Sequence, residues 1–423
     1  MTARPAPPSG IGPVPVHAEP CDAAMVPERA PPSARDPYGE GWWPVVRAGW
    51  RDRLSGDRGR ANARHGFLRP PSSPGKVAWI RAGSSAESLR LGAELAAALR
   101  DRRLDLRIAF TYEHAPGGVA AERIQGLRRF GHGYAPSDRE AAVRRVLSRL
   151  RPFALVWAGA PIRRQLLRAA SAERDGQGRG LHLVALGADP CPDPAVATDA
   201  IEAVYPVDAE QAQRWRAHGY SGAIAEPADP FARFVEAQVE PTLVSLLTGP
   251  RSERMLAWWW HGGDPARRQA AVTAFLGSPL AARGVLLMSP EAPGAHQAVS
   301  TWQREPLPAG TVLSVDEPRW YAAVAGAAAA GHLDSATRLV AWQALAGGMP
   351  LSAEPSALAR LPVLEPLCEP IAPVAAVLEQ WAQWSASAFE ARVRADACRR
   401  RLYDERRRAE QVHQAMLQRM FDW

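Results

Sequence analysis

Short apolar runs alternate with helix-length stretches from Lys76 onward, and that alternation restricts the chain more than any other feature. Val77 to Ile80, Leu106 to Thr111, Leu155 to Trp157 and Leu181 to Leu186 are apolar runs of strand length. Helical patterns over Ser88 to Arg100 and Pro161 to Ala172 separate the first and last pairs, and Arg139 to Leu150 leads into the third. Such alternation specifies a parallel sheet covered by helices on both faces. Val204-Tyr-Pro and Ala223-Ile-Ala add two weaker strands, and the Pro/Asp-rich run Glu226 to Pro230 reads as a hinge.

A second α/β set follows the hinge. Arg254 to Trp260, Val285 to Met288 and Thr311 to Val315 read as strands, with helices starting at Pro265, Trp320 and Ser335. A length of 423 residues suits two domains of about 150–200 residues with extensions. The expected division is a disordered Pro- and Ala-rich tail over 1–40, a first domain over 41–228, a second over 229–380, and a basic helix over 381–423.

Charge and cysteine usage exclude several classes. The net charge is +7, but Lys76 is the sole lysine and the arginines are scattered along amphipathic helices. That is the pattern of solvated faces, so no nucleic-acid partner is expected. Cys21, Cys191, Cys368 and Cys398 lie far apart with no C-x-x-C spacing, which argues against a zinc ribbon or disulfide scaffold and for a reducing compartment. No signal-peptide pattern and no apolar run of about 18 residues is present, so a cytoplasmic protein is expected, at most peripheral on the inner face of the plasma membrane. Trp42, Trp43 and Trp50 stand among arginines, either packed on the first domain or set at an anionic lipid headgroup surface.

The turn after the first strand holds the main candidate site. Trp79-Ile-Arg-Ala-Gly-Ser-Ser-Ala-Glu87 carries a strand into a small-residue turn and delivers one carboxylate to the first turn of a helix. Open α/β sheets build their crevices above the carboxyl ends of strands, where Glu87 would stand. An acid there also complements the helix macrodipole, a purely structural use.

The segment W-x-x-A-x-S-x-x-E resembles the signature W-x-H-A-x-S-x-G-E of the bacterial Kdo transferases, with Arg81 in place of His and Ala86 in place of Gly. The likeness continues in order through Tyr134-Ala-Pro-Ser-Asp138, Arg151-Pro152-Phe-Ala-Leu-Val156 and the helix from Val207 to Gly219. Trp258-Trp-Trp-His261-Gly-Gly263-Asp264 is similar to the family's A-S-T-H-x-G-E. The resemblance implies a GT-B fold, two Rossmann-type domains facing a cleft, with a C-terminal helix crossing back to the first. It implies inverting transfer of Kdo or a similar sugar from a CMP-activated donor, the co-substrate, to a lipid A or other glycolipid acceptor. Neither cofactor nor metal is expected, and no Asp-x-Asp pair is present. By the resemblance Glu87 is the general base, Arg81, Ser84 and Ser85 bind the acceptor, and His261, Gly263 and Asp264 bind the donor.

The second half departs from the family. Pro290-Glu-Ala-Pro293 lacks the basic pair of P-R-H-P-E-R, Asp316-Glu-Pro-Arg-Trp-Tyr321 keeps only the Asp of D-T-x-G-E-L, and Gln343 replaces a Glu. Two alternatives therefore stand beside the Kdo-type reading: a non-catalytic GT-B paralogue that has lost donor binding, and a glycosyltransferase using another nucleotide sugar.

Overall fold

The computed structural model describes residues 38–72, 74–174, 178–193, 198–235, 243, 247, 255–289, 309–315, 320–365 and 367–423. Lobe 1 opens with a hairpin of two helices, α1 (Trp42–Leu54) and α2 (Arg58–Arg64). Then follow β1 (Val77–Ala82), α3 (Ala86–Arg102), β2 (Arg107–Tyr112), α4 (Gly118–Ile124), β3 (Phe130–Tyr134), α5 (Glu140–Leu150) and β4 (Pro152–Ala158). The lobe closes with α6 (Arg164–Ala172), β5 (His182–Leu186), β6 (Ala203–Tyr205), α7 (Ala209–Ala217) and β7 (Ala223–Ile224). Lobe 2 runs through β8 (Leu256–His261), α8 (Pro265–Leu276), β9 (Gly284–Ser289), β10 (Val312–Ser314), α9 (Tyr321–Ala327), β11 (Ala330–Leu333) and α10 (Arg338–Gly347). It ends with β12 (Leu351–Ala353), α11 (Pro355–Arg360), β13 (Cys368–Pro370) and α12 (Val374–Ala386), after which α13 (Ala388–Phe421) leaves it.

Both sheets are parallel. Lobe 1 has strand order β3-β2-β1-β4-β5-β6-β7, and lobe 2 has β10-β9-β8-β11-β12-β13. In each, the order reverses between the first strand and the fourth, so the β1/β4 and β8/β11 junctions are the switch points where such sheets hold ligands. β1 is buried at every residue and paired on both sides, to β2 and to β4. β8 is likewise paired on both sides, to β9 and to β11, and its consecutive Trp258, Trp259 and Trp260 are fully buried on alternate faces. This is the GT-B architecture.

One apolar core runs through both lobes. Ile80, Phe110 and Leu95 of lobe 1 belong to the same cluster as Trp259, Trp342 and Leu345 of lobe 2 and Leu402, Met416 and Leu417 of α13. The long helix does cross back: Arg103 Nη1 donates to the Phe421 carbonyl at 2.8 Å, and Trp423 stacks on His182 with ring centroids 4.8 Å apart.

Two expectations need correction. The tail was expected to extend to residue 40, but Tyr38 is buried and donates its hydroxyl to the Glu113 carbonyl at 2.6 Å, while Glu40 pairs with Arg164 at 2.9 Å. Residues 1–37 lie outside the described residues. β3 was not expected at all: Phe130-Gly-His-Gly-Tyr134 has two poor strand formers, yet it pairs with β2 along its length as the sheet edge.

Candidate active site

The lobe 1 half is built on the turn that follows β1. Ser85 caps α3, its Oγ accepting from Ser88 N at 3.1 Å. The buried Ser88 hydroxyl accepts from Gly83 N and donates to the Ala158 carbonyl, both at 2.6 Å, so the turn is fastened to the end of β4. Ser84 and Ser85 are exposed. Glu87, in the first turn of α3, is half-buried and reaches lobe 2, where its Oε1 accepts from Leu339 N at 3.0 Å. Desolvation raises its pKa and the nearby Asp229 adds to this, while the Leu339 amide and Arg338 oppose it.

The lobe 2 half begins where β8 ends. His261 is 1% exposed, in edge contact with Tyr321 at 5.1 Å between centroids. Burial lowers its pKa to about 3, so the ring is neutral, and its Nδ1 has no partner among the described residues. Gly262 and Gly263 follow with φ of +81° and +82°. A Cβ on Gly262 would fall 2.2 Å from Ser335 Oγ, and one on Gly263 2.4 Å from Asp334 Oδ2, so only glycine lets this loop lie against the turn after β11. Asp334 fixes that turn by accepting from His332 Nε2 at 3.1 Å, Trp260 Nε1 at 3.1 Å and Arg267 Nε at 2.5 Å. Burial alone would raise the Asp334 pKa; His332 and Arg267 hold it below the usual carboxylate range. Asp264 is an exposed cap on α8, accepting from Arg267 N at 2.8 Å.

The two switch points meet at the start of α10. Arg338, its first residue, pairs with Asp208 and, at 3.3 Å, with Asp229, both on the lobe 1 side. The backbone N–H of Asp229 in turn donates to Glu405 Oε1 of α13 at 2.8 Å. Burial raises the Asp229 pKa, with Arg338 opposing, and the two aspartates raise that of Arg338 against its own desolvation. Thus Glu87, Asp208, Asp229 and Arg338 form one ionic seam between the lobes, beside the first backbone amides of a helix. Within this seam the carboxylates are paired with the guanidinium and with the first amides of α10, where the helix dipole favours negative charge.

The predicted residues do not all converge there. Glu87 stands in the seam, with Ser84 and Ser85 on the turn before it, while His261 ends β8 and Gly263 follows in the loop packed on the turn after β11. Arg81 lies on the other face of its sheet, as strand alternation requires: Ile80 and Ala82 pack with α3, while Val77 and Trp79 pack with α5 and α6. Its fully buried guanidinium lies 3.4 Å from Glu113 Oε1, which Arg163 also reaches at 3.1 Å. Arg81 is thus enclosed in an ionic cluster away from Glu87. Asp138, from the Tyr134 to Asp138 motif, caps α6 from a distance, accepting from Gln165 N at 3.0 Å and Leu166 N at 2.9 Å, and burial raises its pKa to about 6. Sequence reasoning missed Ser88, Asp208, Asp229 and Arg338. Pro290 to Pro293 and Asp316 lie outside the described residues.

Residues 59–174 match the N-terminal glycosyltransferase domain of the 3-deoxy-D-manno-octulosonic-acid (Kdo) transferases, a span that includes Glu87. Those residues of lobe 1 are thus similar to that family's domain. No curated protein sequence matches the chain. Among solved structures, a protein from Listeria monocytogenes assigned as a UDP-N-acetylglucosamine 2-epimerase is similar at TM-score 0.54 and 9% identity, covering 83% of this chain and 98% of that one. The UDP-GlcNAc 2-epimerase of Neisseria meningitidis, solved with UDP-GlcNAc bound, is similar at TM-score 0.52 and 10% identity, covering 81% of this chain and 100% of its own. The glycosyltransferase SnogD of Streptomyces nogalater has TM-score 0.46 and 16% identity, covering 81% of this chain and 100% of its own. At these identities the likeness to the two epimerase structures concerns the two-lobed fold.

Proposed function

We propose that this protein is an inverting glycosyltransferase of the Kdo-transferase type, with Glu87 as its general base. The observation that carries this reading is the position of the Glu87 carboxyl group, desolvated and aimed across the interlobe seam at the N-terminus of α10. A raised carboxyl pKa suits a base that must take a proton from a sugar hydroxyl near neutral pH. In the step, the acceptor oxygen bonds to the anomeric carbon as its proton passes to Glu87. The bond from that carbon to the donor phosphate breaks, and the nucleotide leaves with the electron pair. His261 and Gly263 border the donor side, Ser84 and Ser85 the acceptor side. A CMP-activated sugar is the donor and a glycolipid hydroxyl the acceptor in the form the Kdo-type match favours.

A second reading rests on a different fact: the Glu87 carboxylate is engaged by Leu339, and Arg338 by two aspartates. A paralogue without donor binding would use the same groups only to hold its lobes together. Thermal unfolding with CMP, UDP, GDP and their sugars separates the readings, because a ligand that binds the native state raises its apparent stability. Stabilisation by CMP supports the Kdo-type donor, and stabilisation by another nucleotide redirects the donor assignment. No shift with any of them supports the non-catalytic form. With a transferase assay in hand, Glu87→Gln abolishes turnover and leaves nucleotide binding intact; normal turnover by that variant removes the base assignment.

A further inference from the structure

We propose that the amino end of the lobe 1 sheet carries a second binding site, which takes the phosphate group of a small organic phosphate. The site goes beyond the glycosyl-transfer reading and shares no residue with the seam. A cavity of about 600 Å³ opens between the last turn of α3 and the loop from α4 to β3, with Arg100, Asp101, Leu104, Leu127, Arg128 and Arg129 in its lining. Cavities that hold small molecules are commonly of this size. Glu87 lies in the first turn of α3 and Arg100 in its last, so the rise of the helix sets the two about 20 Å apart. Glu87 follows the carboxyl end of β1, whereas this cavity lies where β2 and β3 begin.

The cavity gathers positive charge that its surroundings do not neutralise. Arg100 is 6% exposed and pinned by two carbonyls, its Nη1 donating to Leu104 at 3.2 Å and its Nη2 to Leu106. Its Nε is buried with no acceptor among the described residues. Arg129 Nη1 donates to the same Leu104 carbonyl, also at 3.2 Å, so two guanidinium groups meet at one oxygen. Burial lowers the Arg100 pKa, and the Arg129 charge lowers it further. Arg129 is held there on a left-handed backbone with φ of +52°, a conformation unfavourable for any residue with a side chain. Among the described residues no carboxylate pairs with Arg100, Arg128 or Arg129, and Asp105 is taken up by Arg103 through two contacts of 2.9 Å. With Asp101 as the acid in the lining, the three arginines leave an excess of two charges, of which the carbonyl end of α3 offsets about half of one.

A phosphate group matches this arrangement. It brings up to two negative charges, and its oxygens accept from neighbouring guanidinium groups at once. Each guanidinium has five N–H donors, so Arg100 and Arg129 keep donors beyond those given to carbonyls. The remaining wall is apolar: Leu104 is 71% exposed, and Leu127 is half-buried beside it. A bare inorganic ion would leave both leucines in water, whereas the carbon frame of an organic phosphate covers them.

The test is isothermal titration calorimetry of the full chain at low salt with phenyl phosphate, inorganic phosphate and, as a neutral control, phenol. Phenyl phosphate is expected to bind about tenfold or more tighter than inorganic phosphate, because its ring covers the leucines, and phenol is expected not to bind. The variant Arg128→Gln/Arg129→Gln should keep its unfolding temperature, since both side chains are exposed, and lose affinity for phenyl phosphate about tenfold or more. Leu104→Ser should narrow the gap between phenyl phosphate and inorganic phosphate without weakening the latter. Absence of phenyl phosphate binding overturns the proposal, as does undiminished binding by the arginine variant. Equal affinity for the two phosphates makes this an ion site only and also overturns it. Loss of turnover on Glu87→Gln tests glycosyl transfer at the other end of α3, and repeating the CMP thermal shift in the arginine variant isolates binding at the donor side. Failure of one reading is therefore distinguishable from failure of the other.

Discussion

The carboxylate of Glu87 in lobe 1 accepts a hydrogen bond from the backbone N–H of Leu339 in lobe 2, at 3.0 Å. A side chain on the second helix-turn position of one nucleotide-type fold thereby caps a helix of the other. Glu87→Ala leaves that amide without its acceptor and should cost about 1 kcal/mol of stability, as loss of an N-cap does, whereas Glu87→Gln keeps an acceptor oxygen and should cost less. Urea unfolding of the two variants beside wild type measures the difference. Equal losses would mean that the charge, not the hydrogen bond, matters at this position.

Arg338 is the cation of the same seam, and Asp229, 3.3 Å from it, is nearly fully buried. Arg338→Met strips that carboxylate of its partner and should destabilise the protein by about 3 kcal/mol or more, as broken buried ion pairs do. Parting of the lobes should enlarge the radius of gyration in small-angle scattering. An unchanged radius with lowered stability would show that the apolar core alone sets lobe spacing.

His261 gives a pH-dependent prediction. Its folded pKa of about 3 lies below the ordinary histidine value, so the unfolded chain takes up a proton first as pH falls. Its contribution to stability is complete above about pH 6.5 and is lost progressively as pH falls toward 3. His261→Phe preserves the edge contact with Tyr321 and removes the titration. The variant should lose less stability than wild type between pH 6.5 and about 4.5, read by urea unfolding at each pH; parallel curves would count against a buried neutral imidazole.

Leu417 tests the tie between α13 and lobe 1. It is 3% exposed within the core cluster shared by both lobes. Leu417→Ala should cost about 2–4 kcal/mol, as large-to-small core changes do. Proteolysis that releases α13 from the variant more readily than from wild type would locate the weakened contact.

The periodic parts of the fold are readable in the residues themselves. β1 and β8 are central and buried on both faces, so their apolar runs, Val77 to Ile80 and Leu256 to Trp260, are unbroken and stand out. β3 is an edge strand, needs only one partner, and carries glycines at alternate positions, so propensity points away from it. Glu87 is visible because its strand, turn and helix are contiguous. Its partners are not: Asp208, Asp229 and Arg338 are separated by long stretches of chain, and only the assembled lobes bring them together. Arg81 illustrates the opposite failure. It stands two residues before the turn, yet strand alternation sends its side chain to the far face and into a buried pair with Glu113.

The stack of Trp423 on His182 makes the order of synthesis matter. His182 emerges from the ribosome on the order of ten seconds or more before Trp423 does, at ordinary elongation rates. Until then that margin of the first sheet, and the apolar residues that α13 covers, stay open to other surfaces in the cell. Lobe 1 is first to be translated and among the last parts to be finished.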